Sequence, residues 1–178
     1  PGIVLNGSSN GFSIADNMYV GMANDQGSEF GSLYVLNTVQ NPFTVVSSGD
    51  VSIGSILQVL GGKTLEFKAN DSNPVVFDLT VGSGNVNEGI YVGDVENSAT
   101  MTLAGIDALT VNGSVITYGD FDVNANSVDV GAINVNAGNL NIESTGAVTL
   151  GKLIANDNVV GTAVSGQTIT VSGDVSNQ

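Results

Sequence analysis

The residues with the most chemical potential in this sequence are carboxylates. Asp120, Asp122 and Asp129 fall within one ten-residue stretch, and paired carboxylates are what glycoside hydrolysis needs, while carboxylates with a metal and a base serve elimination. Their local context argues otherwise. Asp122 and Asp129 are the middle members of Phe121-Asp122-Val123 and Val128-Asp129-Val130; in an extended chain such residues face away from their apolar neighbours, and Asp120 falls in a corner. All three read as solvated faces and turns. Arg and His are absent, so an anionic polysaccharide would find almost nothing to hold it, and the many Ser and Thr hydroxyls have no neighbouring base to activate them. No catalytic, cofactor-binding or metal-binding residue is therefore assigned.

Calcium prefers hard oxygen ligands of the kind that Asp120 and the Asp157-Asn158 corner supply. Turn chemistry accounts for the same residues, and neither a Gly-Gly-x-Gly-x-Asp series nor an EF-hand loop occurs. A structural calcium is the one cofactor left open. The glycine-rich segments Gly82-Ser83-Gly84 and Gly61-Gly62-Lys63 lack the helix that a phosphate-cradling loop must open. Tyr19, Tyr34, Tyr91 and Tyr118 would make a sugar-stacking surface if they aligned, and Tyr34 and Tyr91 are expected on one face. Thr110, Thr149 and Thr170 are expected to share a column, but Asp129 interrupts it and spoils any regular ice-binding row.

The elements that must position these residues are strands. The chain has 178 residues, of which 42% are hydrophobic, enough for a continuous core in one domain. The apolar set is mainly Val, Leu and Ile, aromatics are only 6%, and no stretch sustains a 3.6-residue apolar stripe. This is an all-β composition. Three Lys (Lys63, Lys68 and Lys152) against 17 acidic residues give a net charge of −14, which repels nucleic acid and anionic membranes. No cysteine is present, so disulfides and thiolate metal sites are excluded. No apolar run approaches the roughly 18 residues of a spanning helix, so no membrane insertion is expected. The sequence opens at Pro1 without a signal peptide or initiating Met, as a processed product or a piece of something longer would.

An internal repeat organises the chain. Three short alternating segments recur in order: Met101-Thr102-Leu103, Leu109-Thr110-Val111 and Val115-Ile116-Thr117, then the sets beginning at Phe121, Val128 and Ile133, then those beginning at Leu140, Val148 and Leu153. A fourth set is read as beginning at Val159 and continuing at Ile169. First members stand at 101, 121, 140 and 159, at steps of 20, 19 and 19. Breaks containing Gly, Asn or Asp recur between them, such as Asn112-Gly113, Gly119-Asp120, Gly131-Ala132 and Gly138-Asn139, residues that tolerate the positive φ of a sharp turn. Backwards along the chain, Ile90 lies 19 residues before Leu109 and Val51 lies 39 before Ile90, which reads as two coils with Val75-Val76-Phe77 in the missing one; Leu33 and Phe12 continue the series.

The pattern predicts a right-handed parallel β-helix, a β-solenoid with about 19–20 residues and three short strands per coil and roughly nine coils. The whole chain, 1–178, forms a single domain in this reading: irregular coils over 1–89, with a loop inserted near 68–74, and regular coils over 90–175. The alternative is an antiparallel β-sandwich or jelly roll, because residues 109–117, with Asn112-Gly113 at their centre, also make a good two-residue hairpin.

The 138–157 segment, with its Val148-Thr149-Leu150-Gly151-Lys152-Leu153 unit, resembles the filamentous-haemagglutinin-type repeats of two-partner-secreted adhesins and, more loosely, autotransporter passenger solenoids. The resemblance extends from about Leu79 to Val171. It implies an adhesin exported unfolded and displayed on a Gram-negative surface. Asn41-Pro42-Phe43 is only a fragment of that family's secretion-domain signature, and no functional residue is carried over. The expected function is thus that of a structural or adhesive, secreted, extracellular cell-surface protein or filament subunit, not an enzyme. Expected partners are further copies, as a homo-oligomer or homopolymer assembling end to end through segments near Ile3-Val4-Leu5 and Val171 to Val175, and a carbohydrate or a host or cell-surface receptor. The alternative is a polysaccharide-binding or polysaccharide-degrading β-helix protein.

Overall fold

A computed structural model describes residues 3–6, 12–14, 18–20, 32–35, 42–47, 49–69, 76–155 and 169–177. These residues form fourteen strands: β1 (Ile3–Asn6), β2 (Phe12–Ile14), β3 (Met18–Val20), β4 (Leu33–Val35), β5 (Phe43–Ser47), β6 (Val51–Ile53), β7 (Ile56–Val59), β8 (Thr64–Ala69), β9 (Phe77–Val81), β10 (Gly89–Val92), β11 (Thr100–Tyr118), β12 (Asp120–Ala137), β13 (Leu140–Ala155) and β14 (Ile169–Asn177). All belong to one sheet, and every pairing is parallel. No helix occurs among the described residues. The hairpin suggested by Asn112-Gly113 does not form: Leu109 and Val115 lie on the same strand and pair forward with Val128 and Ile133 of β12.

The register falls into three ladders. The first runs through Ile3, Phe43, Leu65, Met101, Phe121, Leu140 and Ile169. The second runs through Phe12, Val51, Leu79, Leu109, Val128, Val148 and Val175. The third links Met18, Leu33, Leu57, Ile90, Val115, Ile133 and Leu153. Strand β11 shows how they relate, because its three successive parts lie beside β8, β9 and β10, three successive strands of the preceding chain.

Alternation decides which side of each ladder is apolar. β6 reads buried, half-buried, buried, and β9 buried, exposed, buried, as period-two side-chain direction requires. Phe67, Met101 and Phe121 of the first ladder, Ile53, Leu79 and Leu109 of the second, and Leu57, Ile90 and Val115 of the third belong to one contiguous core. Burying each such side chain is worth roughly 1.5–3 kcal/mol, so these columns are the main source of stability.

Three register assignments differ from the sequence expectation. Ile90 belongs to the third ladder, between Leu57 and Val115, and Leu79 is the partner that joins Val51 to Leu109. Ile169 stacks on Leu140 in the first ladder, and Val175 on Val148 in the second. Leu33 joins the third ladder, not the series of Phe12 and Val51. For Ile90 the cause is that segments 82–88 and 93–99 lengthen single connections, and for Ile169 that thirteen residues separate β13 from β14, so counting by a fixed period slips from one ladder to the next. Val159 lies outside the described residues. Each ladder carries seven strands among the described residues.

The corners use glycine for closeness more than for handedness. Among the described residues only glycines have positive φ, and Gly113, Gly119 and Gly131 do not. A Cβ on Gly119 would stand 1.9 Å from the Ala99 carbonyl oxygen, and one on Gly138 would stand 2.2 Å from the Gly119 carbonyl carbon. Stacked corners therefore touch backbone to backbone. Side chains also tie them: Asp120 Oδ1 accepts from the backbone N–H of Asn139 at 3.0 Å and from its Nδ2 at 3.1 Å, and Asn126 Nδ2 donates to Asp107 Oδ1 at 2.7 Å.

Thr117 is one of several buried polar residues. Thr117 is fully buried in the third ladder between Val92 and Val135, and its hydroxyl has no hydrogen-bond partner. An unpaired buried hydroxyl costs about 1–3 kcal/mol. Thr117→Val keeps the shape and removes that cost, so chemical denaturation should show the variant more stable by about 1–2 kcal/mol; a loss of stability would mean that the hydroxyl is satisfied after all.

Candidate functional site

The carboxylates singled out above are not gathered into one site. Asp122 stands on the outward side of the first ladder between Thr102 and Asn141, whereas Asp129 stands on the second between Thr110 and Thr149. Asp120 is occupied at its corner by Asn139. Among the described residues no group of three or more acidic side chains is arranged to hold a metal ion. Asp157 and Asn158 lie outside those residues.

Asp122 still has an unusual environment. Partial burial raises its pKa first, the negative charges of Asp120 and Glu143 raise it further, and the hydrogen bond with Asn141 offsets part of this. Half-buried, it stands between Thr102 and Asn141, neither of which is a base or a cation.

The aromatic and threonine rows sort by ladder. Tyr19, Tyr34, Gln58, Tyr91, Ile116, Asn134 and Ile154 occupy equivalent positions of the third ladder, so Tyr34 and Tyr91 do share a column. Tyr34 is buried at 2% exposure and offers no open ring face, while Tyr91 is half-buried and its hydroxyl donates to the Asn87 carbonyl. Tyr118 lies at the end of β11 opposite Ala137, off this column. Thr80, Thr110, Asp129 and Thr149 form one row of the second ladder; Thr170 belongs to the first, opposite Asn141.

The most built feature is one that sequence reasoning missed. The connection between β9 and β10, residues 82–88, closes around the carboxylate of Glu88. Glu88 Oε2 accepts from the backbone N–H groups of Ser83, Gly84 and Asn85, the last two at 3.1 and 3.3 Å. The Ser83 hydroxyl donates to both carboxylate oxygens, and Asn85 Nδ2 donates to Oε1 at 2.7 Å. Ser83, Gly84 and Asn85 thus form an anion nest of the kind that holds phosphate elsewhere, filled here by the chain's own carboxylate. Burial to 5% exposure opposes ionisation, but the hydrogen bonds from Asn85 and Ser83 outweigh it and hold the Glu88 pKa at about 2. A carboxylate within five residues of a Gly-Ser-Gly-Asn run was the available signal.

Beside this loop lies an open groove of about 410 Å³, with Gly84, Asn85 and Val86 on one side and Ser114, Asp129 and Gly131 on the other. Gly113 and Gly131 also line it, at corners that stack backbone to backbone: a Cβ on Gly113 would stand 2.3 Å from the Glu88 carbonyl oxygen, and one on Gly131 would stand 2.8 Å from that of Gly113. Asn112 Nδ2 donates to the Gly82 carbonyl at 3.1 Å and fastens the loop to this corner. Among the described residues no cationic side chain lines the groove.

Compared with family models, curated proteins and solved structures, the chain matches none.

Two titrations follow, with opposite signs. Glu88 has a folded pKa depressed from 4.5 to about 2, so its contribution is complete above pH 4.5 and is lost as pH falls through 2. Glu88→Gln should cost about 2 kcal/mol at pH 7 after allowance for solvent screening of a surface loop, and the gap to the parent should close near pH 2 in paired denaturation curves. Asp122 has a raised folded pKa, so its ionisation opposes folding at neutral pH and that penalty disappears on acidification. Asp122→Asn should raise the thermal midpoint at pH 7, with little gain left at pH 3; an equal gain at both would show that charge is not the cause.

Proposed function

We propose that this chain is a non-catalytic, extracellular rod, wound as a right-handed parallel β-helix with three short strands to a turn, that serves as a structural or adhesive element of a cell surface. The observation that carries this reading is the set of three parallel ladders sharing one apolar core, with β8, β9 and β10 lying in order along β11. A chain that turns through three ladders and returns one strand higher accounts for that order. Between β11 and β13 each turn takes 18 to 20 residues, as the steps from Met101 to Phe121 to Leu140 and from Val115 to Ile133 to Leu153 require. The resemblance to filamentous-haemagglutinin-type repeats points the same way. Partners in this reading are further turns of the same ladder, from this chain or a second copy, and a carbohydrate or surface receptor.

Outward rows of Ser, Thr, Asn and isolated carboxylates suit a solvated scaffold. A polysaccharide-degrading β-helix would need an acid and a base converging on a substrate channel, whereas Asp122 lies on a flat face and Asp129 lines its groove away from it.

Antibody against the chain should label intact, unpermeabilised cells of the source organism, and the purified chain should leave polygalacturonate, alginate and neutral glucans uncleaved. Label that appears only after permeabilisation overturns the extracellular placement. Cleavage that Asp122→Asn abolishes overturns the non-catalytic role.

A further inference from the structure

The 82–88 loop is held in one conformation by its own carboxylate and not by the apolar core. Ser83, Gly84, Asn85, Val86 and Asn87 are all exposed, so the loop adds little to the core, yet a carboxylate is buried to hold it. The conformation so fixed holds Val86 out at 87% exposure on the rim of the 410 Å³ groove. A loop rigid enough to need a buried anion, carrying an aliphatic side chain into water, is built to present that side chain.

The groove's chemistry narrows what Val86 is presented to. Its volume lies in the range of small-molecule sites, roughly 300–1,000 Å³. Hydrogen-bonding groups on both walls, from Asn85, Asn112, Ser114 and Asp129, are neutral or anionic, and with no cation present a phosphate, sulfate or uronate would be repelled. Gly113 and Gly131 line the groove, so a ring can approach backbone there.

We propose that this groove binds a neutral, hydroxyl-rich ligand, one or two sugar units of a glycan, with a ring's C–H face against Val86 and its hydroxyls donating to Asp129. This rests on the surface-exposed reading above and names the ligand class for it. A pyranose matches the groove in kind, because it offers apolar C–H faces and a hydroxyl rim, and a carboxylate accepts hydroxyl hydrogens without needing a counter-charge. Glu88 is a positioning residue here: it holds the loop and does not touch the sugar.

The fluorescently labelled chain would be applied to an array of neutral hexose and N-acetylhexosamine oligosaccharides alongside sulfated and uronic-acid glycans. Retention should be confined to neutral glycans. The strongest hit, titrated by calorimetry, should bind at least about tenfold more weakly to Val86→Ser and to Asp129→Ala. Thr102→Ala, on the first ladder, should bind as the parent does. Both groove variants alter exposed side chains, and circular dichroism would confirm that they keep the parent's β signature. Failure to retain any neutral glycan, a preference for charged ones, or a hit indifferent to both groove variants overturns the proposal. Surface labelling of cells is read separately, so a labelled surface without glycan binding removes only this ligand assignment.

Discussion

Parallel pairing of each strand with its counterpart further along the chain is the constraint on which the whole structure depends. In such a ladder every backbone N–H and C=O finds its partner at one fixed spacing, about 4.8 Å, and the side chains inherit it. Inward residues must then stack on residues of similar shape, which is why Leu65, Met101, Phe121 and Leu140 follow one another in the first ladder. Corners must stack as well, and there the backbones approach so closely that Gly119 and Gly138 admit no Cβ. Composition, repeat and turn chemistry are three consequences of this one arrangement.

The same spacing disciplines charge. Two carboxylates on adjacent strands at about 4.8 Å repel by roughly 1 kcal/mol even at the dielectric of water, and by more where they are partly buried. A chain of net charge −14 with three cations cannot pair them away. Its solution along the ladders is to interleave. Glu66 stands between Thr44 and Thr102, Asp122 between Thr102 and Asn141, and Asp129 between Thr110 and Thr149. The acidic residues read first as candidate chemistry are better understood as members of this spacing, and Asp122 shows the penalty where Asp120 and Glu143 come near.

How much of this was legible follows from where the period is unbroken. From β11 to β13 the connections keep one length, so the positions of Leu109, Val128 and Val148 in one column, and of Asp129 as the break in the threonine row, could be read by counting. Before β11 counting fails for a local reason. Ile90-Tyr91-Val92 and Leu109-Thr110-Val111 are alike as triplets, each inward, outward, inward and followed by a glycine-containing break, so nothing in the triplet says which ladder it joins. The extra residues of 93–99 happen to restore a 19-residue spacing between strands of different ladders. Glu88 was illegible for another reason: its role comes from the folding of 83–85 back onto its carboxylate, a contact that leaves no periodic trace.

That contrast also locates the candidate function. Inward ladder residues are fixed by their neighbours above and below, so altering one disturbs a column, and little freedom remains there for recognition. Connections are released from that rule, and 82–88 uses the release in an ordered way. It spends a buried carboxylate on shape instead of a hydrophobic anchor, and it is fastened to the adjacent corner through Asn112 and Gly82. Rigid strands alone give rows of Thr and Asp in register, which hold water as readily as any ligand. Set against the glycine corner of Gly113 and Gly131, the locked loop makes a concave, cation-free surface with an apolar rim. The recognition proposed for this chain uses that departure from the repeat.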